Sequence, residues 1–216
     1  MTALLAQDLR VTIRTRRDRR HIVPVRGVSI TVERGETLAL VGESGCGKSM
    51  TCLALSGLLP KRATAHAAQL EIAGRPLANL SARQARAVRR RHVSVVFQDA
   101  TNGLNPVKTV GWQVAEAVRL RAGIPFRAAR EEAERLLHRV GLPEPGRLMG
   151  AFPHQLSGGM NQRAMIALAV AGGPDILISD EATTALDVTV QAEILSLIAS
   201  LQREAGMSVV FVTHDL

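Results

Sequence analysis

The spacing of apolar and polar residues changes period along this chain, and each change marks a different kind of element. Leu9 to Ile13 and Val25 to Val32 alternate and carry β-branched side chains, which predicts two antiparallel strands. Arg34-Gly35 is a turn into a third, Thr37-Leu38-Ala39-Leu40-Val41. An apolar stretch from Met50 to Leu59 reads as a helix broken at Leu59-Pro60, and Gln69 to Ile72 as a short strand. Val93 to Phe97 is a continuous apolar run ending in Gln98-Asp99, the pattern of a buried parallel strand with polar residues at its carboxyl end. From Val110 to Ala171 the spacing turns helical: Val114 with Val118 and Leu136 with Val140 stand at i, i+4, and Glu131 with Arg135 forms a surface pair. Gly123, Pro125, Gly141, Pro143, Pro145 and Pro153 cut that segment into short helices. Asp175 to Ser179 restores the buried-strand pattern. Val190, Ile194, Leu197, Ile198 and Leu201 then make one apolar helical stripe, stopped by Gly206, and Ser208 to Val212 is a last β-branched strand.

This order predicts an α/β fold: an antiparallel β subdomain over 1–35, a mainly parallel core over 36–100 and 172–216, and an inserted helical subdomain over 101–171. At 216 residues and 46% hydrophobic content the chain can bury a real core. Its 27 Lys and Arg outnumber 19 Asp and Glu, a balance of +8 that favours nucleotides, nucleic acid or acidic lipid headgroups as partners. Two clusters contribute most. Arg16, Arg17, Arg19, Arg20 and His21 read as a solvated loop, with an anion or lipid contact as the alternative. Arg83, Arg86, Arg89, Arg90 and Arg91 fall on a helix that Ser81 can cap. Cys46 and Cys52 form neither a disulfide framework nor a metal cluster, which suits a reducing cytoplasm. No stretch approaches the roughly 18 apolar residues of a membrane span, and Met1 to Leu5 lacks a signal peptide's features, so at a membrane another subunit would do the spanning.

The candidate chemistry centres on Gly42-Glu43-Ser44-Gly45-Cys46-Gly47-Lys48-Ser49, between a strand and a helix. The pattern G-x-x-x-x-G-K-[ST] in that setting is a phosphate-binding loop and makes the core that of a phosphate-loop NTPase. Glycines let backbone N–H groups face phosphate oxygens, Lys48 reaches the β- and γ-phosphates, and the Ser49 hydroxyl ligates Mg²⁺. Asp180, ending a buried strand, is placed to hold Mg²⁺ through water. Glu181 follows and can activate the attacking water, a contribution of about 10²–10⁴ in rate. Leu156-Ser157-Gly158-Gly159 opens a helix; alone it is equally a capped helix start or an anion site.

Together with the phosphate loop, Leu156-Ser157-Gly158-Gly159 resembles the signature of ABC-transporter ATPases. The resemblance extends to Gln98 as the glutamine loop, Asp180 and Glu181 as the Walker B strand and catalytic carboxylate, Ala185-Leu186-Asp187 as the D-loop and His214 as the switch histidine. Leu104-Asn105-Pro106 and Thr184 to Gln191 look like the dipeptide, oligopeptide and nickel importer branch. It implies an ATP- and Mg²⁺-dependent ATPase at the cytoplasmic face of the membrane, energising permease subunits and served indirectly by a solute-binding protein. A second ATPase subunit, identical or different, would pair head to tail. Lys48, Ser49, Gln98, Asp180, Glu181 and His214 would then serve one nucleotide, with Gln98 both a Mg²⁺ ligand beside Ser49 and Asp180 and a catalytic residue with Glu181 and His214, and Ser157, Gly158 and Gly159 would serve the partner's. Some positions depart from the family: Ala100 and Ala182 stand where proline is usual, Asn161 where Arg or Gln is, and no aromatic lies near Ile13 to stack on adenine. Family members continue beyond the switch histidine, so the sequence is expected to be C-terminally incomplete. The alternatives are a soluble ABC-type ATPase acting on nucleic acid or the ribosome through the arginine clusters, and a nucleotide-binding fragment without turnover. Four Phe, one Trp and no Tyr argue against the former, and no direct nucleic-acid partner is expected.

Overall fold

The computed structural model describes residues 1–15, 21–98, 103–181 and 188–213. The chain divides into two compact units: Met1–Val93 with Asp175–Asp180 and Gly206–Leu216, and Ser94–Pro174 with Glu181–Ala205.

In the first unit, β1 (Thr2–Arg14) and β2 (His21–Glu33) pair antiparallel, both longer than their alternating cores predict. Their register shifts between Ala6 and Leu9, where Asp8 takes a φ of 49° and its N–H donates to Ser29 Oγ at 3.1 Å. This bulge keeps Ala6 and Leu9 both buried. A second sheet carries β3 (Thr37–Val41), β8 (Ile176–Asp180) and β9 (Ser208–Thr213), with β9 parallel to both others. Ile176, Leu177 and Ile178 of β8 are wholly buried, worth about 1.5–3 kcal/mol each. β4 (Ala63–His66) lies along the distal half of β1, and β5 (Gln69–Ile72) along its proximal half, continued by β6 (Arg75–Pro76). Neither β4 nor β6 is signalled by hydrophobic pattern, because both are largely exposed and are strands only by virtue of their partners.

Two helices complete this unit. The first, α1 (Lys48–Ser56), ends three residues before Leu59: Gly57 takes a φ of 75° and its N–H donates to the Ala54 carbonyl at 3.2 Å. A left-handed glycine closes the helix before the proline is reached. The second, α2 (Ala82–His92), starts as predicted at Ser81, whose Oγ accepts from Gln84 N while Gln84 Oε1 accepts from Ser81 N, a complete capping box. Arg89 of α2 is no surface charge. Its Nε donates to Leu55 O at 3.1 Å, satisfying a carbonyl at the end of α1, and burial lowers its pKa.

β7 (Val93–Val96) begins where the second unit takes over. That unit is helical: α3 (Val110–Ala122), α4 (Phe126–Arg139), α5 (Pro145–Leu148), α6 (Gly158–Ala171) and α7 (Val188–Ala205). Val114, Val118, Leu136 and Val140 are all buried there, as their spacing predicts. α6 is apolar nearly all round and buries residues on every side, the position of a central helix. Ile194, Ile198 and Leu201 form the buried stripe of α7, and Gly206 follows at a φ of 63°. The expected Glu131–Arg135 pair is replaced by two others. Arg135 pairs with Glu132 at 2.8 Å, and Glu131 with Arg127 at 4.0 Å. With acids at both 131 and 132, Arg135 takes the i, i+3 neighbour.

Candidate functional site

The phosphate loop connects the carboxyl end of β3 to α1. Gly47 is the N-cap, with a φ of 102° and no side chain to cap the helix, so the first-turn N–H groups of α1 face the loop. Its backbone also passes tightly under β2: a Cβ at Gly47 would stand 2.6 Å from the Pro24 carbonyl oxygen. Lys48 Nζ donates to Gly42 O at 2.5 Å and to Glu43 O at 2.9 Å, which holds the ammonium across the loop. Phosphate oxygens at this cradle compete with two neutral carbonyls for the charge, a competition an anion wins. A cleft of about 810 Å³ borders the loop, with Ile22, Pro24, Val25 and Val41 as its apolar wall.

The second element of the site comes from 131 residues away. Ser49 Oγ donates to Asp180 Oδ1 at 3.1 Å, at the carboxyl end of β8. Open parallel sheets bind ligands at these strand ends. Among the described residues no group of three His, Cys, Asp or Glu side chains could hold a metal. A hydroxyl and a carboxylate oxygen converging beside a phosphate cradle do fit Mg²⁺, which takes few protein oxygens and completes its octahedron with water and phosphate. Cys52, one helical turn beyond Ser49, is buried, and its thiol is pushed up to about 12, first by burial and then by the charge of Asp180. Cys46 is exposed on the loop.

Of the remaining predicted residues, Glu181, Gln98, Ser157, Gly158 and Gly159 belong to the second unit. Glu181 follows Asp180 directly, half-buried, at a φ of 48°. Gln98 is exposed in a bend after β7. Ser157 caps α6, its Oγ accepting from Met160 N at 3.3 Å while its own proton remains available to an acceptor. A Cβ on Gly158 would meet nothing within 4 Å and one on Gly159 only Val190 Cγ1 at 3.5 Å, so both backbone N–H groups are open to close approach. His214, Asp99, Ala100, Ala182 and Ala185-Leu186-Asp187 lie outside the described residues.

Two supports of this unit carry no local sequence signal. Asn161 is buried and its Nδ2 donates to Pro153 O at 2.9 Å, tying the turn before Ser157 to α6. Arg163 donates to Val140 O at 2.8 Å and pairs with Glu193 at 2.5 Å. By contrast, the Asn105-Pro106 turn is legible as a turn. Gln113 clamps it, accepting from Asn105 N at 2.7 Å and donating to the carbonyls of Asn105 and Lys108.

A phosphate loop joined to a strand-end aspartate, with a glycine-rich helix start in the second unit, defines a phosphate-loop fold of the cassette class. The family model described as ABC transporter matches residues 25–184, and the chain belongs to that family. It is 47% identical over 193 residues to the dipeptide transport ATP-binding protein DppD of Bacillus subtilis, covering 89% of this chain and 58% of that protein. It is 48% identical over 198 residues to the glutathione import ATP-binding protein GsiA of Salmonella typhimurium, covering 89% of this chain and 32% of the relative. The chain thus spans less than two thirds of the length of these curated relatives. Among solved structures, a dimeric ATP-binding cassette in a post-hydrolysis state bound to ADP and Pi superposes with a TM-score of 0.83 at 28% identity, over 98% of this chain and 88% of that one. The cassette fold, with its antiparallel N-terminal sheet, parallel sheet and helical insert, is therefore shared.

Proposed function

We infer that this chain binds and hydrolyses ATP with Mg²⁺ and energises a membrane importer of peptides. The observation that carries the reading is the 3.1 Å contact between Ser49 Oγ and Asp180 Oδ1, with Glu181 next along the chain. Lys48 and the N–H groups from Gly45 to Ser49 hold the phosphates. Ser49 and Asp180 would hold Mg²⁺, which when bound would neutralise charge that develops on the phosphate oxygens. Glu181 takes a proton from the attacking water, and Gln98 and His214 take the glutamine-loop and switch-histidine roles that the family resemblance gives them. Ser157, Gly158 and Gly159 offer an O–H and two N–H donors to the nucleotide of a second ATPase subunit. The dimeric state of the ADP-bound cassette supports that pairing. Segment 101–171 passes the motion to permease subunits, and the chain works at the cytoplasmic face. Among the described residues no helix is long and apolar enough to cross a membrane, in keeping with a peripheral subunit. The names of the relatives support a peptide as solute; nickel rests on the sequence resemblance alone.

The test is Glu181→Gln. Hydrolysis should fall by about 10²–10⁴ while ATP affinity is kept and Mg-ATP-dependent dimers accumulate. A variant that hydrolyses ATP as fast as the parent removes Glu181 from the mechanism. Measuring affinity and turnover side by side on the 216-residue parent separates hydrolysis from binding alone.

A further inference from the structure

Residues alternate sides along β1, so Leu9 and Val11 are buried on one face while Arg10, Thr12 and Arg14 lie on the other. The buried face leads to the phosphate loop: Val25, the partner of Val11, lines the same cleft as Gly47 and Lys48. The opposite face holds a separate cavity of about 490 Å³, lined by Arg14, His21, Lys61 and Arg62 together with the hydroxyls of Thr12 and Thr64.

Strands β1, β2 and β4, with the turn that leads into β4, set these side chains in rows. Arg14 is in register with His21 of β2, and on its other side the Arg14 N–H donates to the Arg62 carbonyl at 3.0 Å. At about 4.8 Å between strands, the row His21, Arg14, Arg62 spans roughly 10 Å. The next row on that face pairs Thr12 with Thr64. Basic residues set side by side across strands repel one another, and such rows destabilise a sheet unless something neutralises them. Other arginines of the protein are neutralised: Arg10 by Asp8, Arg34 by Asp175, Arg119 by Glu116 and Arg163 by Glu193. Among the described residues no carboxylate pairs with Arg14, His21, Lys61 or Arg62.

We propose that the face of β1, β2 and β4 turned away from the phosphate loop is a second anion site, which takes a phosphate-bearing ligand on Arg14, Lys61 and Arg62. Guanidinium forks and an ammonium supply charge-assisted donors, and Thr12 and Thr64 add hydroxyl donors. The row's width suits two linked phosphates, or a phosphate with its ester, so the source is either a free polyphosphate or the headgroup of an acidic phospholipid. The site is independent of the ATPase reading.

The experiment uses the 216-residue chain carrying Lys48→Ala, so that the phosphate loop does not dominate the signal. Inorganic pyrophosphate is titrated calorimetrically at low salt, and sedimentation is measured with phosphatidylcholine vesicles with and without phosphatidylglycerol. The comparisons are Arg14→Ser/Arg62→Ser and, as a single exposed change, Lys61→Glu. Unfolding by urea confirms that each variant folds. Pyrophosphate binding weakened at least about tenfold by either change supports the site and a free phosphate source. Phosphatidylglycerol-dependent sedimentation lost in the same variants supports the site and a lipid source. If neither probe binds, or binding is unchanged in folded variants, the proposal is overturned.

Discussion

Replacing Gly47 by alanine isolates what the close approach of the phosphate loop to β2 contributes, because Gly45 provides an internal control. Both glycines have positive φ, 84° at Gly45 and 102° at Gly47. A Cβ at Gly45 meets nothing within 4 Å, so Gly45→Ala should cost only the left-handed backbone, about 1–2 kcal/mol. At Gly47 the same strain is joined by a clash with the Pro24 carbonyl oxygen at 2.6 Å and contact with Val25 Cγ2 at 3.5 Å. The obstacle is backbone on a strand whose Val25 is paired with Val11, so it cannot rotate away as a side chain would. Overpacking of this kind adds about 1–3 kcal/mol. Urea unfolding without nucleotide should therefore place Gly47→Ala below Gly45→Ala by that difference, and ATP affinity should fall further in the former. Equal midpoints and slopes for the two variants would refute the reasoning, since the loop would then be free to move off β2.

Two further outcomes test the surroundings of the site. The Cys52 thiol is raised to about 12, so the folded state keeps a proton that the unfolded chain releases above about pH 8.5. Its stabilisation is intact below that pH and is lost as pH rises towards 12, at up to about 1.4 kcal/mol per pH unit. Urea unfolding at about pH 8 and pH 10 should show the parent losing ~2 kcal/mol more than Cys52→Ala, and a pH-independent difference between them would contradict the burial argument. Asn161→Ala removes the donor to Pro153 O and should cost about 1–3 kcal/mol, with faster amide exchange at Gly158, Gly159 and Met160. Unchanged exchange there would show that the turn before Ser157 holds itself.

Much of this fold is legible because its signals are local. The apolar run of β8, the stripe of α7 and the helix start at Ser81 each depend on residues within a few positions, and the structure places them within a residue or two of the expected bounds. The phosphate loop is legible for a related reason: glycine spacing fixes backbone directions without help from elsewhere. The meeting of Ser49 with Asp180 across 131 residues is legible only through the rule that parallel strands present their carboxyl ends to one ligand. What escapes the sequence is whatever depends on a distant partner. β4 and β6 have no apolar pattern of their own, and the end of α1 is set by Gly57 and by Arg89 reaching across to Leu55 O.

The arginines show most clearly why composition stops short of chemistry. A balance of +8 and clustered guanidinium groups suggest an anionic partner, and the cluster on α2 looks as promising as the one before β2. Arg16, Arg17, Arg19 and Arg20 lie outside the described residues, and among the described ones what each group touches decides its role. Arg89 is consumed as a helix cap, so its charge serves the fold, and Arg163 is divided between the Val140 carbonyl and Glu193. Arg14 on β1 and Arg62 in the turn before β4 stand beside each other, with His21 and Lys61 at the same cavity and no carboxylate paired to any of the four among the described residues. Identical side chains thus differ in function because pairing, rather than charge count, decides which cations are left to bind a ligand.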